Sequence, residues 1–427
     1  MKEEYKKTPL GAIPNTWKVN TLNEITKVYD GTHQTPKYVE KGIPFYSVEH
    51  VTANDFSKTK FVSKEVFIKE NQRVKLEKGD ILMTRIGDVG TVKYIDWDVN
   101  ASFYVSLALI KQQETFNGKY IAHFIESRAF KKELWKRIIH TAFPRKINLG
   151  EIGKCLVVLP PLPEQQKIAE ILSTVDAKIE VIDQQITETT ELKKGLMQRL
   201  LTKGIGHTEF KDSPLGKIPK SWELITTDKL GEITSSKRVH KADYTEFGIP
   251  FFRGKEISVL AKGEKLKDIV YIKSETFQEF KRKYGVPETG DILITAVGTI
   301  GSIYLVKEND EFYFKDGNLM WLKNINIKLD RDFLMHYFRS NIFQSLIDIA
   351  SSGSSQKALT IVKFKKLFIP IPSKEEQQKI AFILSSAYEK LEVLSVKKTN
   401  YQELKKGLMQ QLLTGKVRVQ LNSRVTA

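Results

Sequence analysis

The stretch PEQQKIAEILSTVDAKIEVIDQQITETTELKKGLMQRLLT, residues 163–202, decides the fold of this chain. It returns at residues 375–414 as EEQQKIAFILSSAYEKLEVLSVKKTNYQELKKGLMQQLLT. Apolar residues recur in both stretches with the heptad spacing of a coiled-coil helix. The first stretch also begins with Pro163 and Glu164, residue types favoured at a helix start. The sequence therefore predicts two long and closely similar helices.

Each predicted helix carries an apolar stripe that it cannot bury alone. Two arrangements are compatible with this pattern. Either each helix packs on its own globular domain, or the two helices pack against each other, antiparallel, as a spacer. The near identity of the two stripes favours the second arrangement, and the matching ends suggest a common face for two copies of a partner protein. The residues predicted for the coiled coil and for partner docking are Ile168, Leu172, Val175, Ile179, Ile182, Ile186, Leu196, Leu200, Ile380, Leu384, Leu391, Leu394, Leu408 and Leu412.

The duplication extends over the rest of the chain. TPLGAIPNTW (8–17) returns as SPLGKIPKSW (213–222), and KGDILMTRIGDVGTVKYI (78–95) returns as TGDILITAVGTIGSIYLV (289–306). This period is far too long for a solenoid repeat, so it indicates two modules that each combine a globular domain with a helix. The expected segments are a first domain at 1–160, a helix at 161–208, a second domain at 209–372 and a second helix at 373–427.

Composition and charge narrow the class of protein. The chain has 427 residues, 41% of them hydrophobic and 28% charged, as in soluble globular proteins. No apolar run approaches the length of a membrane span, and the amino terminus lacks the apolar core of a secretory signal. A single cysteine excludes an internal disulfide framework. We therefore expect a cytoplasmic protein, and the net charge of +17, concentrated outside the first helix, points to nucleic acid as the partner.

The globular domains are predicted to contain short β-strands and hairpins. The segment 78–95 indicates a hairpin whose turn holds Gly87 and Gly90, and Gly298 and Gly301 occupy the same turn of the second copy. These glycines resemble a phosphate-binding loop only loosely, because no Gly-Lys-Ser/Thr and no helix follows. They are compatible with a turn that approaches a DNA backbone. The tryptophan near the start of each domain is expected in the core.

Two loop regions of each domain combine basic, hydroxyl, amide and aromatic side chains, the residue types that contact phosphates and base edges. One region follows the domain entry and differs between the copies; the other precedes the final strand. For any single residue, an ordinary solvated loop is about as good an explanation. The candidate DNA-contacting residues, with one arginine from the hairpin, are Thr32, His33, Thr35, Lys37, Tyr38, Arg85, Arg145, Lys146, Asn148, Lys237, Arg238, His240, Lys241, Tyr244, Ser354, Gln356 and Lys357.

The sequence contains no convincing catalytic motif. There is no cofactor loop or target-base motif of a DNA methyltransferase, no nucleotide-binding motif of an ATPase, and no persuasive nuclease arrangement. The seven histidines form no His-x-x-x-His metal pattern. We therefore expect no catalytic residue, no metal and no cofactor on this chain. Two rival hypotheses remain: a stand-alone DNA-modifying enzyme with an unrecognised site, and a coiled-coil adaptor without a nucleic-acid role.

Together, the duplicated Pro-Trp entry, the GDIL hairpin and the EQQKIA…LKKGLMQ helix resemble the specificity subunits of type I restriction–modification systems over essentially the whole chain. The resemblance implies an α+β fold in which two pseudo-symmetric target-recognition domains are separated by an antiparallel coiled coil. It implies an asymmetric, bipartite double-stranded DNA target, with the helices setting the gap. It also implies docking of two methyltransferase subunits and addition of restriction (translocase–nuclease) subunits. S-adenosylmethionine and ATP would then be bound by those partners.

Overall fold

The computed structural model describes residues 4–352 and 357–421. The chain divides into two compact units, one made of Met1–Gln184 with Val396–Ala427 and the other of Gln185–Ser395. Each unit contains one globular domain, part of the first long helix and part of the second. They are called the first unit and the second unit.

The globular domain of the first unit alternates short strands with short helices and leads into the first long helix. Its elements are β1 (Tyr5–Thr8), β2 (Gly11–Pro14), β3 (Lys18–Thr21), α1 (Leu22–Ile25), β4 (Val28–Asp30), β5 (Tyr38–Val39), β6 (Ile43–Tyr46), α2 (Val48–Ala53), β7 (Lys60–Val62), α3 (Lys64–Asn71), β8 (Ile81–Thr84), β9 (Val92–Tyr94), β10 (Ser102–Phe103), β11 (Leu107–Ile110), α4 (Gly118–Glu126), α5 (Arg128–Arg137), α6 (Leu149–Gly153), β12 (Leu156–Leu159) and α7 (Leu162–Lys203).

A four-stranded sheet in the order β4-β11-β8-β9 forms the centre of the first domain. Successive side chains of a strand point to opposite faces, and both faces of this sheet are covered. Ile81 and Met83 of β8 enter one core together with Trp17, while Leu82 enters a second core with Phe103. Covering both faces explains why all four residues of β8 are buried and why the first three, ILM, are apolar without a break.

The predicted hairpin is confirmed as the antiparallel pair β8 and β9, with Ile81 opposite Tyr94. Its turn contains Gly87 and Gly90 with φ of 84° and 99°, values that L side chains rarely adopt. A second sheet, in the order β10-β6-β7-β5, forms a smaller lobe beside the central sheet. The two-stranded pairs β1-β2 and β3-β12 complete the domain.

The second unit repeats this order of strands and helices, with a 3-10 turn in two places. Its elements are β13 (Phe210–Lys211), β14 (Ile218–Pro219), β15 (Glu223–Thr226), β16 (Glu232–Thr234), β17 (Tyr244–Thr245), β18 (Ile249–Phe252), α8 (Gly254–Ala261), β19 (Val270–Ile272), α9 (Ser274–Tyr284), β20 (Ile292–Thr295), β21 (Ile303–Leu305), β22 (Tyr313–Phe314), β23 (Leu319–Lys323), α10 (Arg331–Arg339), α11 (Asn341–Ser351), α12 (Ile361–Phe364), β24 (Phe368–Ile371) and α13 (Lys374–Leu412).

The sheets of the second unit match those of the first. The central order β16-β23-β20-β21 corresponds to β4-β11-β8-β9, and β17-β19-β18-β22 forms the smaller lobe. Gly298 and Gly301 again adopt positive φ in the turn after β20. The predicted mixed fold with repeated hairpins is therefore confirmed. The several short helices between the strands, such as α10 and α11, were not predicted from the sequence.

In the first unit the beginning of α7 runs antiparallel to the end of α13. The Lys405 ammonium lies 2.8 Å from the Asp176 carboxylate, and the Lys398 ammonium lies 2.6 Å from the Asp183 carboxylate. Asp183 follows Asp176 on α7, whereas its partner Lys398 precedes Lys405 on α13, so the two helices run in opposite directions. Leu172 packs with Leu412 in the core of the first domain.

In the second unit the end of α7 runs antiparallel to the beginning of α13. The Lys193 ammonium lies 4.2 Å from the centre of the Tyr388 ring, and the Tyr388 hydroxyl lies 3.7 Å from the Met197 sulfur. Leu200 and Leu384 share the core of this domain. Both arrangements considered for the helices are thus realised, because each unit packs one helix segment against the other and both against its domain.

The predicted heptad register agrees with the burial of the helices. Every predicted coiled-coil residue is buried or half-buried, while most positions between them are exposed. The same heptad positions include six residues that are polar, small or aromatic, and these are buried or half-buried too: Thr189, Lys193, Ala387, Lys398, Tyr401 and Lys405. The antiparallel coiled coil expected from the repeat is therefore observed inside each unit.

The tryptophan of each domain entry is buried, as predicted, and is bound to the first turn of a long helix. The Trp17 indole donates to the Glu164 carboxylate at 3.3 Å, and the Trp222 indole donates to the Glu376 carboxylate at 3.0 Å. A basic residue that follows the other helix approaches each carboxylate: the Arg418 guanidinium reaches Glu164 and the His207 imidazole reaches Glu376. This repeated contact ties both long helices to each domain.

Among the described residues, no helix is long and apolar enough to cross a membrane. Cys155 is buried, and burial raises the pKa of its thiol to about 12. Such a thiol stays protonated near neutral pH and is a poor nucleophile.

Candidate nucleic-acid interface

Arg85 joins three loops of the first unit at the end of β8. The residue as a whole is only 9% exposed, and its guanidinium donates to the Asp30 carboxylate at 3.3 Å, to the Val105 carbonyl at 2.8 Å and to the Ile147 carbonyl at 3.3 Å. Burial lowers the pKa of this guanidinium, and the Asp30 charge opposes that effect. Because the Arg85 guanidinium is buried and bound to these three groups, Arg85 positions the loops and does not reach a base edge.

The buried carboxylate of Asp30 binds two further basic side chains at the base of the first predicted loop. The Arg73 guanidinium lies 2.7 Å from Oδ1, and His33 Nε2 lies 2.9 Å from Oδ2. Arg73 also donates to the Asp30 carbonyl. Hydrogen-bonded charge pairs of this kind fix a loop when at least one member is buried. The start of loop 31–37 is therefore held in a defined position.

Beyond this anchor the first loop becomes exposed. His33, Thr35, Lys37 and Tyr38 are all exposed, and the Thr35 hydroxyl lies 3.2 Å from the Tyr104 hydroxyl. Thr32 is buried instead: its amide donates to the Phe103 carbonyl, so it belongs to the framework. The predicted loop is thus divided into one buried residue and an accessible outer part.

The second predicted loop lies against the glycine turn of the hairpin. The Gly87 amide donates to the Arg145 carbonyl at 2.7 Å, and Ile86 pairs with Lys146 in an isolated antiparallel bridge. Both basic side chains are exposed, and so is Asn148, which precedes α6. Part of the region predicted as loop is therefore the short helix α6. The structure brings the glycine turn and this basic loop together.

An open cleft of about 550 Å³ lies beside the first loop. It was not predicted, because its residues come from β5, β6, α2, β7 and the turn after β10. The Lys60 ammonium lies 4.8 Å from the centre of the Tyr38 ring, and Tyr38 packs edge-on against Phe45. The residues lining the cleft are Thr35, Tyr38, Phe45, Ser47, Val48, Glu49, Thr52, Lys60, Tyr104 and Ser106.

The corresponding loops of the second unit are fastened without a buried arginine. Thr295 pairs with Leu319 as Thr84 pairs with Leu107, so Ala296 stands where the first unit has Arg85. The Ser235 hydroxyl donates to the Leu319 carbonyl at 2.9 Å, and the Ala296 amide donates to the Asn318 carbonyl at 2.8 Å. At these two positions, neutral hydrogen bonds therefore take the place of the Arg85–Asp30 ion pair.

The first predicted loop of the second unit carries four exposed basic side chains, Lys237, Arg238, His240 and Lys241. The Lys237 ammonium lies 5.2 Å from the centre of the Tyr284 ring, and the Arg238 guanidinium lies 3.1 Å from the Asp316 carboxylate. Tyr244 is half-buried against Phe251, with ring centres 5.3 Å apart. Lys357 is exposed, whereas Ser354 and Gln356 lie outside the described residues.

Equivalent positions of the two lobes carry different chemistry. The residue after β6 is Ser47 and the residue after β18 is Arg253; the residue after β10 is Tyr104 and the residue after β22 is Lys315. Lys255, on the first turn of α8, is also exposed. These equivalent positions thus carry a serine and a tyrosine in the first lobe, and an arginine and a lysine in the second.

Within residues 4–352 and 357–421 there is no group of three or more His, Cys, Asp or Glu residues placed to hold a metal ion. Histidines of the described part serve as packing and hydrogen-bonding residues. His336, for example, contacts the Ser385 hydroxyl at 2.9 Å, and burial lowers its pKa to about 4. The candidate interface consists of loops that carry basic and aromatic side chains.

Comparisons with known proteins agree with this arrangement. The family model described as "Type I restriction modification DNA specificity domain" matches twice, at residues 14–191 and 219–405. The putative type I restriction enzyme MjaX specificity subunit of Methanocaldococcus jannaschii is 28% identical, covering 98% of this chain and 97% of its own length. The type I restriction enzyme MjaVIII specificity subunit of the same organism is 27% identical, covering 98% of this chain and 96% of its own.

A solved structure has the same fold. The crystal structure of the type I restriction–modification system S subunit from M. genitalium matches with a TM-score of 0.60 at 15% identity, covering 99% of this chain and all of that chain. Because the two family matches together span most of the sequence, the duplication, the helix pair and the paired loop clusters have one explanation. The chain belongs to the family of type I restriction–modification DNA specificity domains.

Proposed function

We propose that this chain is the DNA-recognition subunit of a type I restriction–modification complex and reads an asymmetric, bipartite target. The observation that carries the proposal is the repetition of one loop framework with different surface chemistry. Around β8 in the first unit and β20 in the second, the same loops are held against the same sheet. Their outer residues differ, as two domains that read different half-sites require.

Charge and side-chain type support double-stranded DNA as the ligand. Phosphate contacts from lysine and arginine supply affinity that is independent of sequence, while a few polar side chains at base edges supply specificity. The second unit offers Lys237, Arg238 and Lys241 for the first task. The first unit offers Thr35 and Tyr38 beside its cleft for the second.

The long helices support docking of two identical partners, which we propose to be methyltransferase subunits. Val181 and Leu192 of α7 and their repeat equivalents Val393 and Leu404 of α13 are large apolar side chains that remain exposed. Exposed apolar residues repeated at equivalent positions are typical of a surface that binds the same protein twice. Restriction (translocase–nuclease) subunits join that core, and S-adenosylmethionine and ATP are bound by the partners.

The test is to map modified bases by direct sequencing of the host genome, with and without the gene for this chain. We expect one bipartite motif with two different halves and a fixed gap, lost on deletion. Substituting Lys237, Arg238 and Lys241 with glutamine should weaken binding of the assembled complex and reduce its salt dependence. Methylation or cleavage by the pure chain would overturn the proposal, and so would DNA binding of the complex that is absent or independent of salt.

The helices are proposed to set the unread gap, which a second experiment tests. Removing one heptad from α7 and the matching heptad from α13 keeps the seam in register because the pattern repeats every seven residues. We expect a shorter gap with both half-site sequences unchanged. An unchanged gap in the methylated motif would refute this role of the helices.

A further inference from the structure

Phe143 is the most exposed large apolar side chain of the described residues, at 103% of its reference surface. It lies in the loop between α5 and α6 of the first unit. A single exposed apolar residue is common on protein surfaces. A phenylalanine held entirely in water nevertheless lacks the burial that normally stabilises such a ring, and it gains that burial when a partner covers it.

The loop is fastened at both ends, so that the ring is presented from a fixed base. The Ile139 amide donates to the Lys146 carbonyl at 2.8 Å, and the Gly87 amide donates to the Arg145 carbonyl at 2.7 Å. Ile147, directly after the loop, is fully buried in the core of the domain. The position of the loop relative to the hairpin turn is therefore set by hydrogen bonds rather than by the exposed residues.

The surroundings of Phe143 are basic and aromatic. The Arg145 guanidinium lies 5.5 Å from the centre of the exposed Trp135 ring, and the His140 ring lies 4.4 Å from it. Lys136 and Arg137, at the end of α5, pair with the Glu133 carboxylate, whereas Arg145 and Lys146, next to Phe143 in the loop, are exposed. The positive charge beside Phe143 favours an anionic polymer as the partner over a neutral protein surface that would contact the ring alone.

The second unit has no counterpart of this residue. Its corresponding stretch, SSGSSQKA at 351–358, contains no aromatic residue. The strand-like bridge at its base is shared, because Val297 pairs with Ala358 as Ile86 pairs with Lys146. The two copies share this bridge, and their sequences beside it differ.

We propose that Phe143 is an apolar wedge that enters the base stack of the DNA bound by the first unit; this rests on the proposed function. Basic residues beside it, Arg145 and Lys146, hold the flanking phosphates. An aromatic ring inserted between base pairs unstacks one step and bends the duplex, and the exposed ring is buried in return. The first half-site is thereby distorted, and the second is not distorted in this way.

The experiment uses the assembled complex of this chain with its methyltransferase subunits and the duplex identified by mapping. 2-Aminopurine, whose fluorescence rises on unstacking, replaces one base at a time along both half-sites. The methyltransferase subunits extrude their own target bases, so a rise at those bases does not depend on Phe143. At one further step, in a single half-site, we expect a rise that requires Phe143. Phe143→Ala should abolish this rise and weaken specific binding roughly five-fold or more, because stacking contributes about 1–3 kcal/mol per base. The dependence of binding on salt should stay the same, since no phosphate contact is removed.

The matched control is Ile327→Ala, which removes an apolar side chain that is 91% exposed in the second unit. It should leave both fluorescence and affinity unchanged. If Phe143→Ala behaves like this control, the wedge is refuted while DNA recognition stands. If Phe143→Ala instead prevents assembly with the methyltransferase subunits, the ring binds protein and the proposal is equally refuted. A wild-type complex that does not bind the mapped duplex would refute the proposed function itself.

Discussion

Replacing Arg85 with alanine removes the one buried cation that joins three loops of the first unit. The carboxylate of Asp30 would keep Arg73 and His33, but both of those side chains are largely exposed. Breaking a buried ion pair by removing one partner costs about 3–5 kcal/mol, because the remaining charge is left uncompensated. The two surviving contacts offset part of that cost, so we expect the free energy of unfolding of this unit to fall by about 2–4 kcal/mol.

The assay is urea unfolding of the full chain combined with hydrogen exchange. Amides of residues 29–38 and 145–148 should exchange faster, whereas those of the second unit should not change. A loss smaller than about 0.5 kcal/mol with unchanged exchange would refute the role of Arg85 as the joint of these loops.

The second unit provides the compensating substitution for this experiment. Tyr29 pairs with Leu109 as Thr234 pairs with Trp321, so the residue that follows Thr234, Ser235, stands where the first unit has Asp30. The double variant Asp30→Ser with Arg85→Ala therefore reproduces the pair found at Ser235 and Ala296. Because no buried charge is left unpaired, we expect it to be more stable than the single variant Arg85→Ala. A double variant that is less stable than either single variant would contradict this interpretation.

Three further predictions follow from burial and charge. His336 has a pKa of about 4 in the folded protein, below its value in an unfolded chain, so burial of the neutral ring stabilises the second unit above pH 6.5. That stability, roughly 3 kcal/mol, should be lost as the pH falls from 6.5 towards 4. Urea unfolding at several pH values should show a flatter dependence of stability on pH for His336→Gln. Leu384 is fully buried between the helices, so Leu384→Ala should lower the free energy of unfolding by about 2–5 kcal/mol in thermal or urea unfolding. Leu404 is exposed, so Leu404→Ala should change the free energy of unfolding by no more than about 0.5 kcal/mol. Lys255 is exposed on the first turn of α8, so Lys255→Glu should weaken binding of the complex to DNA most strongly at low salt, as measured by fluorescence anisotropy. An unchanged affinity at low salt would place α8 away from the DNA.

Local patterns made much of the architecture predictable. The heptad positions from Ile168 to Leu200 and from Ile380 to Leu412 are buried as their spacing requires, since helical periodicity is written into the sequence itself. The hairpin at 78–95 was predictable for a similar reason, because its strands are adjacent and its turn needs glycine at positive φ. The buried tryptophans followed from residue type alone.

The candidate interface was only partly predictable. The sequence identified the accessible outer part of the first loop, but it gave no sign that Thr32 and Arg85 belong to the framework. It also missed the cleft beside Tyr38, because the lining residues come from separate elements of the chain. Contacts such as that of Arg85 with Asp30, 55 residues apart, leave no periodic trace in the sequence.

What the sequence alone determined is that the chain contains two copies of one module, joined to long helices whose apolar stripes must be covered. These features depend on repetition and on short-range spacing, which one chain displays without any folding. Only the tertiary structure decided that each unit combines its domain with parts of both helices, and that the glycine turn meets the basic loop carrying Phe143. Those contacts join distant segments, and they exist only after the central sheet has brought the ends of its strands to one side.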